Sequence, residues 1–85
     1  MAIDYSGLRS VTARDLIAAL SRDGFSFVRQ VGSHRRYKHS DGRRVTIAPH
    51  GRSGTFARKT LKTIIEDQSR WTEADLVRLG LLKRK

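Results

Sequence analysis

The chain has 85 residues, of which 38% are hydrophobic and 7% aromatic, enough for one modest core. No apolar run approaches the roughly 20 residues that a membrane-spanning helix needs. The absence of cysteine excludes disulfides, thiol catalysis and cysteine-based zinc sites. We therefore expect a single domain over residues 1–85, in the cytoplasm, with neither a secretory signal nor a membrane contact.

Charge is the compositional feature that bears most directly on function. Eighteen lysines and arginines against eight acidic residues give a formal net charge of +10 at pH 7. Residues 29–62, which we call the cationic block, hold ten of these cations and one acid, Asp41, whereas the flanks are nearly neutral. Such a block predicts a surface that binds a polyanion such as nucleic acid; a merely solvated basic surface is the alternative.

The first helix is the clearest element. The first ten residues show little patterning, and we expect them to be frayed. Thr12 is typical of a helix N-cap, with Asp15 as the acid of a capping box, and Gly24 suits a C-cap. Apolar residues recur at helical intervals at Ala13, Leu16, Ile17 and Leu20. These signals predict a helix over Ala13–Asp23.

Three extended segments follow this helix. Phe25–Val31, His34–His39 and Arg43–Ala48 are predicted as strands because of their aromatic and β-branched content and their alternation. The first two are separated by Gly32-Ser33, and the last two by Ser40-Asp41-Gly42, both of which are typical of tight turns. The pattern predicts an antiparallel meander.

The rest of the chain is predicted to be helical. After a loop at Gly51–Gly54, a second helix is expected over Phe56–Gln68, and a short third helix over Glu73–Leu79 with Thr72 as its N-cap. The order predicts an α+β fold, α-β-β-β-α plus a short C-terminal helix, with two helices on one face of a three-stranded antiparallel sheet. The other face would be open and would carry part of the cationic block.

The three histidines lie in or beside the cationic block, at positions 34, 39 and 50. Histidine titrates near neutral pH and serves as a general acid or base. His34 directly follows Gly32 and Ser33, and the cations after it can hold phosphate. These residues suffice to cleave RNA without a metal: a base removes the 2′-hydroxyl proton, the oxygen attacks phosphorus, and cations stabilise the charge. From the residues alone, a His34 that merely begins a strand and contacts solvent or phosphate remains open.

The other two histidines are weaker candidates. His39 and His50 are each either a secondary acid or base or an ordinary surface residue. The spacings of five and eleven residues between the three histidines fit no zinc pattern. We therefore predict no metal site and no cofactor.

Several motifs in order resemble one family. They are Gly24-Phe25, Val28-Arg29-Gln30, Gly32-Ser33-His34, Arg44-Val45-Thr46-Ile47, Pro49-His50-Gly51 and Thr60-Leu61-Lys62-Thr63-Ile64. Together they resemble the HicA family of mRNA interferase toxins, over about residues 12–68. Residues 71–85 form an extension that we expect to pack on the domain or to help bind a partner.

The resemblance implies a fold like that of double-stranded-RNA-binding domains and the activity of a type II toxin–antitoxin ribonuclease. It implies that His34 is catalytic, that Gly32 and Ser33 shape the active site, and that His50 lies near it at best. It also implies mRNA as substrate and a HicB-type antitoxin as the neutralising partner.

The sequence therefore predicts a metal-independent endoribonuclease. Its expected RNA-binding and phosphate-binding residues are the cations Arg29, Arg35, Arg36, Lys38, Arg43, Arg44, Arg58, Lys59 and Lys62. The alternative is a non-catalytic module that binds double-stranded RNA by its shape. A third possibility, a subunit whose cations meet only an acidic protein, holds alone only if RNA affinity is absent.

Overall fold

The computed structural model describes residues 3–48 and 54–82. A 3₁₀ turn at Tyr5–Leu8 precedes helix α1 at Ala13–Arg22. The strands are β1 at Phe25–Val31, β2 at His34–His39 and β3 at Arg44–Ile47. Helix α2 at Arg58–Lys62 continues as a π-helix at Thr63–Gln68, and helix α3 follows at Glu73–Arg78. The α+β class and the predicted order of elements are confirmed. No helix within these residues is long and apolar enough to cross a membrane.

The capping box predicted at Thr12 and the N-cap predicted at Thr72 are both present. The Thr12 hydroxyl accepts a hydrogen bond from the Asp15 N–H at 3.2 Å, and the Asp15 carboxylate accepts one from the Thr12 N–H at 2.9 Å. Thr72 and Asp75 repeat this arrangement at the start of α3. Each box satisfies two backbone groups that a helix start leaves without intrahelical partners. Helix α1 ends one residue earlier than predicted, with Asp23 as its C-cap.

The sheet is antiparallel throughout, in the order β1-β2-β3. Directly opposed residues point to the same side, so Phe27 lies on the side of the buried Tyr37 and contacts its ring, although Phe27 itself is 57% exposed. An irregularity between Phe27 and Arg29 then shifts the register by one residue. As a result Arg29 lies opposite Arg36, and β1 changes the side to which its odd-numbered residues point.

One core joins the helices to the covered side of the sheet. Tyr37, Val45 and Ile47 contribute from the strands and pack with buried residues of every helix. The largest of the fully buried side chains are Leu8, Leu16, Leu20, Ile47, Ile65, Leu76 and Leu79. Trp71 and α3 therefore pack onto the same core as residues 13–68.

The N-terminal segment is ordered, and the prediction that it is frayed is wrong for its described part. Tyr5 and Leu8 are buried, and Leu8 has no exposed surface. The Tyr5 hydroxyl donates to the Glu66 carboxylate, and the Arg58 guanidinium lies 5.8 Å from the centre of the Tyr5 ring. Burial and the bond to Glu66 raise the pKa of the Tyr5 hydroxyl. A four-residue 3₁₀ turn is too short to show hydrophobic periodicity, so the sequence pattern did not predict that this segment is ordered.

The second helix changes from α-helical to π-helical after Lys62, and its π-helical part contacts the edge of the sheet. It starts at Arg58, two residues later than predicted, and the Ser69 hydroxyl closes it by donating to the carbonyls of Ile64 and Ile65. The Gln68 side-chain oxygen accepts a hydrogen bond from the Thr46 N–H at 2.8 Å. The helix therefore runs beside the outer edge of β3, which leaves one side of the sheet uncovered.

Candidate nucleic-acid interface

The uncovered side of the sheet, which we call the open face, is dominated by cations. The pairing puts Ser26, Lys38 and Arg44 in one row, Arg29, Arg36 and Thr46 in the next, and Val31 opposite His34 at the end. All these residues except the half-buried Thr46 are exposed. The strands thus build the predicted open cationic surface. Their alternation sends Arg36, Lys38 and Arg44 to one side, and the irregularity after Phe27 adds Arg29.

Two pairs of like charges oppose each other directly across these strands. Arg29 lies opposite Arg36, and Lys38 lies opposite Arg44. Such pairs destabilise a sheet by a few tenths of a kcal/mol each. No acidic residue occupies a position on this face among the paired residues of the three strands. A face that concentrates repelling cations is suited to a polyanionic ligand.

His34 lies where this face meets helix α2. Its exposed side chain lines a cleft of about 310 Å³, which we call the His34 cleft. The polar side chains that share the cleft are Thr46, Lys59, Thr60, Thr63 and Gln68. Within residues 3–48 and 54–82 the imidazole has no hydrogen-bond or ion-pair partner. A free imidazole beside an ammonium group and several hydroxyls can accept or deliver a proton next to a bound anion.

The tight turn before His34 separates two residues that are adjacent in the sequence. Gly32 and Ser33 are the two central residues of this turn. Gly32 has a φ of +62°, whereas the φ of Ser33 is not positive. This combination is typical of a type II′ hairpin turn. The Gln30 amide holds this turn by donating to the Gly32 carbonyl at 2.8 Å. Ser33 lines a different cleft from His34. Gly32 is thus required by the backbone, and Ser33 does not share the cleft of His34.

Arg35 and Arg36 likewise point to opposite sides. Arg36 belongs to the open face, whereas Arg35 is opposite Gln30 and Ile47 and lines the same cleft as Ser33. The two arginines therefore do not form one joint phosphate clamp with His34. This separation follows from the two-residue period of a strand.

Arg43 has partners inside the protein. Its guanidinium contacts the carboxylates of Asp23 at 3.1 Å and Asp41 at 2.8 Å, and it donates to the Ser69 carbonyl. It also lies 4.9 Å from the centre of the Phe25 ring. Only 19% of its side chain is exposed. These contacts assign Arg43 to the packing of the fold, so it leaves the set of cations available to a ligand.

Asp23 is the centre of this internal cluster. Its carboxylate accepts hydrogen bonds from Trp71 and Arg78, both at 2.9 Å, besides the contact with Arg43. Burial opposes its ionisation, but these donors and the charge of Arg43 outweigh burial and lower the pKa of Asp23. We use the name Asp23 cluster for the set Asp23, His39, Asp41, Arg43, Trp71 and Arg78.

His39 belongs to this cluster through both ring nitrogens. Nε2 lies 2.7 Å from the Asp23 carbonyl oxygen, and the Asp41 N–H donates to Nδ1 at 3.1 Å. This pattern fits a neutral ring that donates through Nε2. Asp41 Oδ1 is also 3.1 Å from Nδ1, so protonation would exchange the backbone bond for an ion pair. His39 is therefore engaged in holding the end of the sheet to helix α1.

The remaining predicted residues are dispersed. Lys59 lines the His34 cleft, Lys62 is exposed on α2, and Arg58 lies against Tyr5 beside another cleft. His50 lies outside the described residues. No group of three or more His, Cys, Asp or Glu side chains that could hold a metal ion occurs in the part of the chain that the structure describes.

Sequence reasoning missed several residues around these clefts. Thr60, Thr63 and Gln68 line the His34 cleft, and Arg14 lines the cleft of Ser33. Thr60 and Thr63 lie in one of the motifs that carry the family resemblance, but only the tertiary fold brings them and Gln68 beside His34. Arg14 could have been noticed, because it is a cation on the first turn of a helix whose apolar side was predicted.

A comparison with protein families agrees with the motif resemblance. A family model described as HicA toxin of bacterial toxin-antitoxin matches residues 13–68. The match runs from the start of α1 to the end of the π-helical turn, so it includes the whole sheet and both sides of the His34 cleft. No curated protein and no solved structure matches the chain. Because the matched segment is more than half of the 85 residues, the chain belongs to the HicA family of toxins of bacterial toxin–antitoxin systems.

Proposed function

We propose that the protein is an mRNA interferase, a metal-independent endoribonuclease that uses His34 as its catalytic residue. The observation that carries this proposal is the position of His34. Within residues 3–48 and 54–82 its exposed imidazole has no partner, and it lies in a cleft that borders a face of cations without carboxylate partners among those residues. Membership of a toxin family supports a harmful activity in the cell. The active site, the RNA substrate and the HicB-type antitoxin named below are parts of the proposal.

The proposed reaction uses the nucleophile that RNA itself carries. His34 removes the proton of a 2′-hydroxyl, and that oxygen forms a bond to the adjacent phosphorus while the bond from phosphorus to the 5′-oxygen breaks. The 5′-oxygen takes a proton from solvent water, which leaves a 2′,3′-cyclic phosphate and a 5′-hydroxyl, and His34 returns its proton to solvent before the next turnover. Lys59 shares the cleft, and its ammonium group is suited to stabilise the extra negative charge on the phosphoryl oxygens.

The open face would hold the RNA chain by its phosphates. Arg29, Arg36, Lys38 and Arg44 are exposed there. Phosphate contacts of this kind position nucleic acid without reading its sequence. In-line attack needs a flexible backbone, so we expect single-stranded segments to be cut in preference to A-form helix.

The same face suits the partner that has to silence the toxin. A HicB-type antitoxin that places carboxylates on the open face would satisfy the repelling cations and cover His34 at once. Because the opposed pairs Arg29–Arg36 and Lys38–Arg44 repel each other when the face is empty, a complementary acidic surface would gain from neutralising them. We propose that antitoxin and RNA compete for this surface.

The test compares wild type with His34→Ala. Each protein is expressed under tight control in a growth assay, and each purified protein is incubated with RNA in EDTA. Binding is followed in parallel with a 2′-O-methylated RNA, which lacks the nucleophile and stays uncut. We expect growth arrest and EDTA-resistant cleavage by wild type alone, with similar binding by both proteins.

Two controls keep the result interpretable. Circular dichroism checks that His34→Ala is folded, which we expect because the replaced side chain is exposed and has no partner within the described residues. Arg70→Gln, an exposed cation on the loop before α3, should cut like wild type. If wild type and His34→Ala bind RNA equally and neither cuts it or slows growth, the protein is a binding module and the nuclease proposal fails.

A further inference from the structure

A second cationic cleft lies on the opposite side of the β1–β2 turn from His34. It has a volume of about 420 Å³, and its polar lining residues are Arg14, Gln30, Ser33 and Arg35. Arg14 comes from the first turn of α1, and Arg35 is the second residue of β2. Ile17 and Ile47 form part of the apolar lining. We call this the Arg35 cleft.

The two guanidinium groups of this cleft are available to a ligand. Arg14 and Arg35 are exposed, and neither has an ion-pair or hydrogen-bond partner within residues 3–48 and 54–82. No acidic residue lines the cleft among the residues described. By contrast, Arg43 and Arg78 each contact two carboxylates. Arginines left without a carboxylate, converging with a hydroxyl on one concave surface, are suited to bind a phosphate.

The Arg35 cleft and the His34 cleft meet at the tip of one hairpin. Ser33 lines the first and His34 the second, and the Cα atoms of consecutive residues are about 3.8 Å apart. The turn between them is only Gly32 and Ser33 long, and nothing lies within 4 Å of the place where a Gly32 side chain would begin. The turn between the two clefts therefore presents no side chain larger than that of Ser33.

We infer that the Arg35 cleft is a phosphate subsite for the RNA segment that flanks the scissile bond. The inference rests on the proposed ribonuclease function and adds to it a second contact, on the helix-covered side of the sheet. The RNA chain crosses the bare turn at Gly32 and Ser33 and is held on both sides of the hairpin: His34 and Arg36 lie on one side, Arg35 and Arg14 on the other. Gln30 contributes indirectly, because its amide fixes the turn.

An acidic segment of an antitoxin is the competing occupant, since guanidinium groups also bind carboxylates. Continuity with the His34 cleft favours RNA. A segment that only had to neutralise the toxin could cover the open face without crossing the hairpin, whereas an RNA chain continues on both sides of the bond that is cut.

The experiment removes the two charges of the cleft and compares binding with an equally charged control. Arg14→Gln/Arg35→Gln is compared with Arg9→Gln/Arg70→Gln, which loses the same charge at exposed positions away from both clefts. The probes are a fluorescein-labelled, 2′-O-methylated single-stranded RNA of mixed sequence and a trinucleotide of the same chemistry. Affinity is measured over a series of salt concentrations.

We expect the Arg14→Gln/Arg35→Gln variant to bind the long probe roughly tenfold more weakly than the control variant. The slope of log affinity against log salt should fall by about 0.7, the contribution of one phosphate contact on a single strand. The trinucleotide, which has only two internucleotide phosphates, should show a smaller difference in affinity between the two variants than the long probe. Equal affinity of the two variants for the long probe, with equal slopes, overturns the inference.

The remaining outcomes separate this inference from the proposed function. If wild type cuts RNA but the cleft variant binds the long probe like the control, the subsite is wrong and the nuclease stands. If wild type cuts no RNA but its affinity for the long probe depends on Arg14 and Arg35, the nuclease proposal fails and the phosphate subsite stands. Loss of antitoxin binding by the cleft variant, with RNA binding unchanged, assigns the cleft to the antitoxin and overturns the inference.

Discussion

The two ends of strand β2 each carry a histidine, and the two are in opposite situations. At one end, both ring nitrogens of His39 lie within 3.1 Å of backbone groups of Asp23 and Asp41. At the other end, His34 is exposed and has no partner within the described residues. His39 lies in the Asp23 cluster, where arginines are paired with carboxylates. His34 borders the open face, where cations oppose other cations. Residue type therefore says little here, and neighbouring residues decide which histidine is free to react.

The largest effect that would test this contrast is on catalysis. His34→Ala should lower the rate of RNA cleavage by about 10²–10⁴-fold and leave the free energy of unfolding almost unchanged, because a general base is lost without a structural contact. His39→Ala should lower the free energy of unfolding by about 1–3 kcal/mol and leave the rate per folded molecule similar. Initial rates with saturating RNA and urea unfolding measure the two quantities. A large loss of rate in folded His39→Ala would break the comparison.

The next largest effect is on the stability that the Asp23 cluster gives to the fold. Asp23→Asn should lower the free energy of unfolding by about 2–3 kcal/mol, because Arg43 and Arg78 lose a carboxylate that is only 11% exposed. Denaturant unfolding followed by circular dichroism measures the change. Asp67→Asn, at an exposed position on the π-helical turn, is the matched control and should stay within about 0.5 kcal/mol of wild type.

The pH dependence of stability should have its origin in the same cluster. The pKa of Asp23 is lowered in the folded protein, so its contribution to stability is fully present above its unfolded pKa of about 3.9 and is lost as the pH falls through the lower folded-state value. The acid-induced loss of stability should be smaller in Asp23→Asn than in wild type. Equal slopes of stability against pH below about pH 4 would show that Asp23 does not couple folding to protonation.

A smaller effect distinguishes two adjacent arginines that sequence alone treats alike. Arg43→Gln should lower the free energy of unfolding by about 1–2 kcal/mol with little change in RNA affinity, since its guanidinium is bound to Asp23, Asp41 and the Ser69 carbonyl. Arg44→Gln should lower RNA affinity a few-fold and leave stability unchanged, because it lies on the open face. Denaturation and salt-dependent RNA binding on both variants measure this. Exchange of the two phenotypes would contradict the assignment.

The smallest expected effect is a gain of stability on the open face. Arg36→Thr removes the like charge opposite Arg29 and places a β-branched residue in a strand, so it should raise the free energy of unfolding by about 0.2–0.5 kcal/mol. The same change should weaken RNA binding. A loss of stability would mean that the Arg36 side chain contributes more by packing than it costs by repulsion.

Sequence reasoning succeeded where the determining interactions are local. The capping boxes at Thr12 and Thr72 each join residues three apart, and the hairpin turns lie between short alternating segments. For that reason the elements and their order could be predicted. The prediction for the N-terminal segment failed because Tyr5 is fixed by Glu66, 61 residues away. Arg43 was assigned to RNA because its partners Asp23 and Ser69 are equally invisible to local pattern.

The candidate site was predictable only in its position along the chain. The motif resemblance singled out His34, but which side of the sheet each neighbour occupies depends on the pairing register. Alternation alone separates Arg35 from Arg36, whereas Arg29 reaches the open face only because of the irregularity after Phe27. A bulge of this kind has no reliable sequence signature, so the composition of the open face needed the structure.

Trp71 gives the molecule a built-in optical reporter. It is the only tryptophan of the chain and is 3% exposed. Its indole N–H donates a hydrogen bond to Asp23 within the Asp23 cluster. Its emission therefore reports the loss of the Asp23 cluster on unfolding, while a ligand on the open face leaves its surroundings intact. Intrinsic fluorescence and labelled RNA thus give two independent signals from one sample, so every variant can be scored for folding and for binding in the same titration.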